Sequence, residues 1–229
     1  MPSRNIIKTN IKDGYYHIYN RGVEKRTIFE DDQDYNVFLK YLNEYLSPPV
    51  KPEDLMRSFT LKGTTFQGLP HLNKNYFGKI DLLAYCLMPN HFHFEIKQLV
   101  EGSMEGFMRS LATRYSMYFN KKNGRVGTLF QGIYKACMIE SDEYLLYLSR
   151  YIHLNPRELG KNIFEAHSSY ADYLDIQKNS WVKTKEILSY FGKENHDFSK
   201  SVRTYQDFVE IDGNDTKTKI LLGELLLED

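Results

Sequence analysis

Residues 82–96 set the apolar run 82–88 and a second, patterned run on either side of Pro89-Asn90, a pair that favours a turn, so the stretch predicts two strands joined there. After the turn the alternation is strict. His91, His93, Glu95 and Lys97 point to one face, and Phe92, Phe94 and Ile96 to the other. A Tyr-rich run at 14–21 predicts a further strand. Asp31 or Asp32 then caps a helix whose apolar stripe is Tyr35, Phe38, Leu39 and Leu42, and the prolines at 48 and 49 end it. A second helix is predicted over 104–120 from the spacing of Phe107, Met108, Leu111, Tyr115 and Tyr118, closed by a turn at 121–124. The run 128–139 reads as a strand pair or strand-loop-strand. Ser141-Asp142-Glu143 opens a third helix, with a capping hydroxyl and two carboxylates over its first turn; Pro156 sets its end. A short helix follows at 183–191, then a linker at 192–197 and an apolar helix at 220–227.

Helical stretches are too few and too varied for a doubly wound sheet. The predicted fold is α+β, an antiparallel β-sheet with helices packed mainly on one face. Residues 1–175 form the main domain and 176–229 a small C-terminal helical extension. The domain is interrupted at about 47–78, where weak periodicity and several glycines suit an inserted hairpin or flap.

Composition narrows the class. A chain of 229 residues suits one domain plus an appendage. With 41% hydrophobic and 26% charged residues it reads as a soluble globular protein, and no run approaches the roughly 18 apolar residues of a membrane span. The opening Met-Pro-Ser-Arg-Asn lacks the apolar stretch of a secretory signal, so a cytoplasmic location is expected. Cys86 and Cys137 make no disulfide framework and are expected reduced. The net charge is zero, which excludes a wholesale polycation, but its distribution is uneven. Residues 106–139 hold six basic side chains (Arg109, Arg114, Lys121, Lys122, Arg125, Lys135) and no acidic one, whereas 205–229 hold seven acidic side chains against Lys217 and Lys219. A locally basic middle fits a polyanion, and the span is expected on the same side as the His pair.

The candidate chemistry begins with His91 and His93, one strand repeat apart and therefore side by side, placed to share one divalent metal. A half-buried strand with polar residues on its wet face would show the same pattern. On the third helix Tyr144, Tyr147, Leu148, Tyr151 and Asn155 form one stripe, with Tyr151 directly over Asn155. Packed on the His face, that stripe would bring a phenol and an amide oxygen to the same metal. Equally, Tyr at helical spacing is often core, and Asn before Pro commonly ends a helix. Two imidazoles and one amide oxygen leave about half of an octahedral shell to water and substrate phosphate, which suits Mg²⁺ or Mn²⁺ better than a closed zinc site.

Met88-Pro89-Asn90-His91-Phe92-His93 followed by Tyr151-Ile152-His153-Leu154-Asn155-Pro156 resembles the single-tyrosine HUH transposases of small bacterial insertion sequences (IS200-like), and among them the REP-associated tyrosine transposases. Further matching pieces come in the family's order: Tyr16-His17-Ile18-Tyr19-Asn20-Arg21-Gly22, Tyr118-Phe119-Asn120, Gly127-Thr128-Leu129-Phe130-Gln131-Gly132-Ile133-Tyr134-Lys135 and Ser168-Ser169-Tyr170. The resemblance implies a ferredoxin-like or RRM-like core and Mg²⁺- or Mn²⁺-dependent cleavage and strand transfer on single-stranded or hairpin DNA. It implies Tyr151 as the nucleophile forming a 5′-phosphotyrosine, and His91, His93 and Asn155 as the metal ligands. The related insertion-sequence enzymes carry Gln at the last position. Asn20 and Arg21 in their matching segment, with Arg109, Arg114, Lys121 and Lys135 from the basic span, are the candidate DNA contacts. A homodimer is one arrangement the resemblance allows. Two alternatives stand beside this reading: a nucleic-acid-binding regulator of the same fold without catalysis, and a His-x-His metal hydrolase.

Overall fold

The computed structural model describes residues 10–70, 72–160, 162–191 and 202–211. The linker predicted at 192–197 and the apolar helix predicted at 220–227 lie outside them. In chain order the elements are strand β1 (Gly14–Arg21), helix α1 (Asp32–Leu46), strands β2 (Arg57–Leu61), β3 (Thr64–Gly68), β4 (Ile80–Met88) and β5 (His91–Gln98), helix α2 (Ser103–Lys122), strand β6 (Lys135–Ile139) and helix α3 (Asp142–Leu154). Three short helices follow, α4 (Tyr170–Tyr173), α5 (Lys185–Leu188) and α6 (Tyr205–Glu210).

Four strands form one sheet in the order β4-β5-β1-β6, and every pair is antiparallel. With β2 and β3 set aside, the chain runs β-α-β-β-α-β and its first strand lies in the interior of the sheet, which is the ferredoxin-like arrangement. β2 and β3 pair only with each other and fill the predicted insertion with an exposed hairpin.

Strict alternation divides the sheet into two faces. Phe92, Phe94 and Ile96 of β5, with Tyr16 and Ile18 of β1, bury against Phe38 and Leu42 of α1 and Phe107, Leu111 and Tyr115 of α2. Each fully buried Phe contributes roughly 1.5–3 kcal/mol through loss of water contact. The two long helices therefore share one face. α3 covers the other, where Leu148 and Ile152 join Ala84, Cys86 and Met88 of β4 and Phe208 and Val209 of α6. A bulge between Leu82 and Ala84 lets β4 serve both cores, with Leu82, Tyr85 and Leu87 facing the first and Leu83, Ala84 and Cys86 the second.

Two elements differ from the sequence reading. Residues 128–139 contain one strand, β6 at Lys135–Ile139, preceded by a loop that touches β1's end through a Gly22–Phe130 bridge. Gly127 and Gly132 take φ of 91° and 73°, which breaks the extended run. α3 ends at Leu154 as a regular helix, but the chain continues through Pro156 in a 3-10 turn, Asn155–Leu159. Proline is tolerated there because its missing N–H falls in a first turn, where no intrahelical acceptor awaits it. Asn155 consequently keeps helical backbone angles (φ −46°, ψ −41°), and its side chain stays in phase with Tyr151.

Candidate active site

In the β1–β5 ladder Tyr19 stands opposite His93, His17 opposite Glu95, and Arg21 opposite His91. His17, Tyr19 and Arg21 of β1 therefore share the face that carries His91, His93 and Glu95. That face lies beneath α3. The N-cap Ser141 starts the helix by accepting a 3.1 Å hydrogen bond from the Tyr144 N–H. One turn before its end, the Tyr151 ring meets His93 edge-on, with ring centres 5.5 Å apart, and lies 6.5 Å from His17. Tyr147 turns instead toward Phe208 of α6. Tyr144 faces the sheet, but its hydroxyl is buried without a hydrogen-bond partner, and burial pushes that phenol well above its ordinary range. Of these three tyrosines, only Tyr151 is both partly exposed and packed on a histidine ring.

The His91 and His93 rings are 5.1 Å apart and perpendicular. One nitrogen of each is occupied by the protein: His91 Nδ1 is 2.7 Å from Asn90 Oδ1, and His93 Nδ1 is 2.9 Å from His17 Nε2. His93 Nε2 is buried with no partner. Asn155 is 2% exposed; its Nδ2 donates to the Tyr151 carbonyl at 2.9 Å, while its Oδ1 is buried with no partner. Burial pulls His91 down to about 4, against a smaller upward pull from the nearby Asn155 side chain, with Arg21 adding a further downward push. Although close enough to act on His91 in this way, Asn155 Oδ1 makes no well-formed hydrogen bond. Burial likewise pulls His93 well below the ordinary imidazole range. Both rings are thus neutral near pH 7, the form in which an imidazole can bind a metal.

Among the described residues no three His, Cys, Asp or Glu side chains are grouped to hold a metal ion. Any third protein donor beside His91 and His93 would have to be of another residue type, and the Asn155 amide oxygen is a candidate. The donor set fits such an ion: a buried imidazole nitrogen and a buried amide oxygen both lack partners at the place where Tyr151 meets the sheet.

Two residues of this face escaped the sequence reading as participants. His17 is fully buried against His93. Glu95 is fully buried with neither carboxyl oxygen partnered, and burial pushes it well above the carboxylate range. The alternation of 14–21 placed His17 in phase with Tyr19, but no sequence signal says that β1 lies beside β5.

The six candidate DNA contacts are not gathered together. Arg21 and Lys135 stand on the His face; Arg21 Nε donates to Gln131 at 2.6 Å, and the Lys135 ammonium lies 5.7 Å from the Tyr19 ring centre. Arg109, Arg114 and Lys121 belong to α2, across the sheet, so the expected common side is not found. Arg109 is paired with Glu105, and Arg114 with Glu44 at 2.6 Å while lying over the Tyr41 ring. Asn20 is nearly buried and lines a cavity of about 450 Å³ between β1 and α2, with Arg109, Thr113 and Tyr134 on its walls.

Residues 71–155, from just before β4 to Asn155, match the family model described as Transposase IS200 like. The matched segment carries both histidines, Tyr151 and Asn155, and spans less than half of the chain. Among solved structures, the chain is similar to a REP-associated tyrosine transposase bound to a REP hairpin, at 14% identity and a TM-score of 0.49 over 79% of this chain and 92% of that one. It is also similar to a Deinococcus radiodurans R1 protein provisionally described as a transposase, at 11% identity and a TM-score of 0.35 over 66% and 95% of the two chains. No curated protein matches the chain.

Proposed function

We propose that this transposase cleaves and rejoins single-stranded, hairpin-bearing DNA through a 5′-phosphotyrosine on Tyr151, with Mg²⁺ or Mn²⁺ held by His91, His93 and Asn155. The observation that carries the reading is the meeting of a partly exposed Tyr151 with His93, beside two buried donor atoms that lack partners. In the cleavage step the Tyr151 oxygen attacks the scissile phosphorus as the phenol gives up its proton. The bond from phosphorus to the 3′-oxygen breaks, and that oxygen takes up a proton to become a 3′-hydroxyl. The 5′-phosphate remains esterified to Tyr151, so the bond energy is kept, and a 3′-hydroxyl from another strand can reverse the step and join the ends. When bound, the cation polarises the phosphodiester and offsets the charge that develops on it. His91, His93 and Asn155 would hold it, and α3 carries the Tyr151 phenol against His93.

The test is Tyr151→Phe, incubated with Mn²⁺ and labelled single-stranded DNA from the regions flanking the gene. The variant should fold and bind DNA as the parent does, while the covalent adduct and the released 3′ end vanish together. A variant that still forms the adduct would move the nucleophile to another tyrosine. Cutting without an adduct would point to water as the nucleophile.

A further inference from the structure

The His17–His93 contact serves no purpose in the sequence motifs, yet it is among the best-defined polar contacts of the site. Both rings are fully buried, nearly parallel at 18°, with centres 5.2 Å apart and His17 Nε2 2.9 Å from His93 Nδ1. The contact is diagonal in the ladder, since His17 is opposite Glu95 while His93 is opposite Tyr19. It uses one nitrogen of His93 and leaves the other, Nε2, buried and unpartnered.

Only one proton can lie between the two facing nitrogens of neutral rings. If His17 donated it, His93 would carry its own proton on Nε2 and have no lone pair to offer a cation. His17 Nδ1 is likewise buried without a partner, so either arrangement leaves one N–H unsatisfied, and the two differ in whether a lone pair faces the site. If His93 donates it, His93 Nε2 becomes a lone pair directed at the site. We propose that His17 is a positioning residue: it accepts the Nδ1–H of His93, fixes the ring's orientation and keeps the His93 lone pair on Nε2 for a divalent cation. Metal-binding imidazoles are ordinarily held in this way by an acceptor on the far nitrogen, and loss of such a partner costs about 10- to 100-fold in metal affinity. This inference rests on the proposed metal site, and its test separates the failure of either.

Mn²⁺ binding to the full chain, without DNA, is measured by electron paramagnetic resonance of the unbound ion, alongside thermal unfolding in a chelator. His17→Leu removes the acceptor and preserves an apolar fill; His17→Gln places an amide oxygen near the position of Nε2. The leucine variant should unfold near the parent temperature but bind Mn²⁺ about 10- to 100-fold more weakly, and the glutamine variant should recover most of that loss. Parent-like Mn²⁺ binding by folded His17→Leu overturns the proposal, as does a glutamine variant as weak as the leucine one, since the ring would then matter only as filling. A parent protein that does not bind Mn²⁺ overturns the metal site itself. In case the leucine variant does not fold, nitrogen NMR of the parent loaded with Mg²⁺ decides on its own. A hydrogen-bonded proton on His93 Nδ1 supports the assignment, and one on His93 Nε2 refutes it.

Discussion

A side-chain carbon on Gly22 would collide with the Arg26 carbonyl oxygen and come within 2.9 Å of Ile28, although its φ of −61° is open to any residue. Space, not backbone freedom, fixes glycine here. The same residue donates its N–H to the Asn90 carbonyl at 2.8 Å, which ties the end of β1 to the turn ahead of His91. Gly22→Ala should therefore lose about 1–3 kcal/mol in urea unfolding, as overpacked sites do, and weaken DNA cleavage because the turn moves. At Asn155 the balance is reversed. Its one hydrogen bond, to the Tyr151 carbonyl, is worth about 0.5–1.5 kcal/mol, so Asn155→Ala should remain folded while calorimetry finds Mn²⁺ binding greatly weakened. His91, His93 and Asn155 were legible because their spacings are local, at i+2 on a strand and i+4 from Tyr151 on a helix. The placement of His17 and Glu95 was not legible. What matters for them is a neighbour across strands 76 residues apart in the case of His17, and complete burial in the case of Glu95.

Among the elements, α3 and the β2–β3 hairpin lie at opposite extremes of integration. Arg150 of α3 is almost wholly buried, and its guanidinium donates to the Phe208 carbonyl at 2.8 Å and the Ile211 carbonyl at 3.0 Å. It thereby anchors α6, which belongs to the predicted extension, onto the helix that carries Tyr151. Arg150→Met should cost about 3 kcal/mol or more, because two buried carbonyls lose a charged donor, and hydrogen exchange should show residues 205–211 opening first. The hairpin is nearly all exposed: Phe59 and Phe66 stack only on each other, and Thr60 bonds to Thr65 across the pair. Replacing residues 57–68 by a short Gly-Ser link should shift the unfolding temperature by no more than a few degrees. The long helices were readable from helical periodicity and β5 from strict alternation, whereas β1 and β4, buried on both faces, were readable as Tyr-rich or apolar runs bounded by turns. The segment 128–134 was not. Its apolar residues are spaced like a strand, but Phe130 packs in from a loop broken by glycines.

For the whole molecule, the basic middle of the sequence looks less basic once folded. Glu105 neutralises Arg109, Glu44 neutralises Arg114, and Asp31 and Asp34 neutralise Lys122. Lys121, Arg125, Lys135 and Arg21 have no acidic partner among the described residues. About four phosphate contacts give a slope near −3 for log affinity against log salt on single strands. Fluorescence anisotropy across a salt series should find that slope, shallower by about 0.7 in Lys121→Ala and unchanged in Arg114→Ala. A sequence shows where charges lie along the chain, but it does not show that Glu44 and Asp34, from α1, are brought against α2.

The interior position of the first strand has a further consequence during synthesis. β1 leaves the ribosome before both of its neighbours, β5 and β6, which end at Gln98 and Ile139. At ordinary elongation rates of about 5–20 residues per second, its backbone hydrogen-bonding edges wait on the order of ten seconds for the second partner. Such exposed edges invite pairing with other nascent chains. Tyr151 follows on α3, after all four strands of the sheet have been made. On the proposed mechanism, a half-made copy would hold the histidines without Tyr151 and could not break a DNA strand.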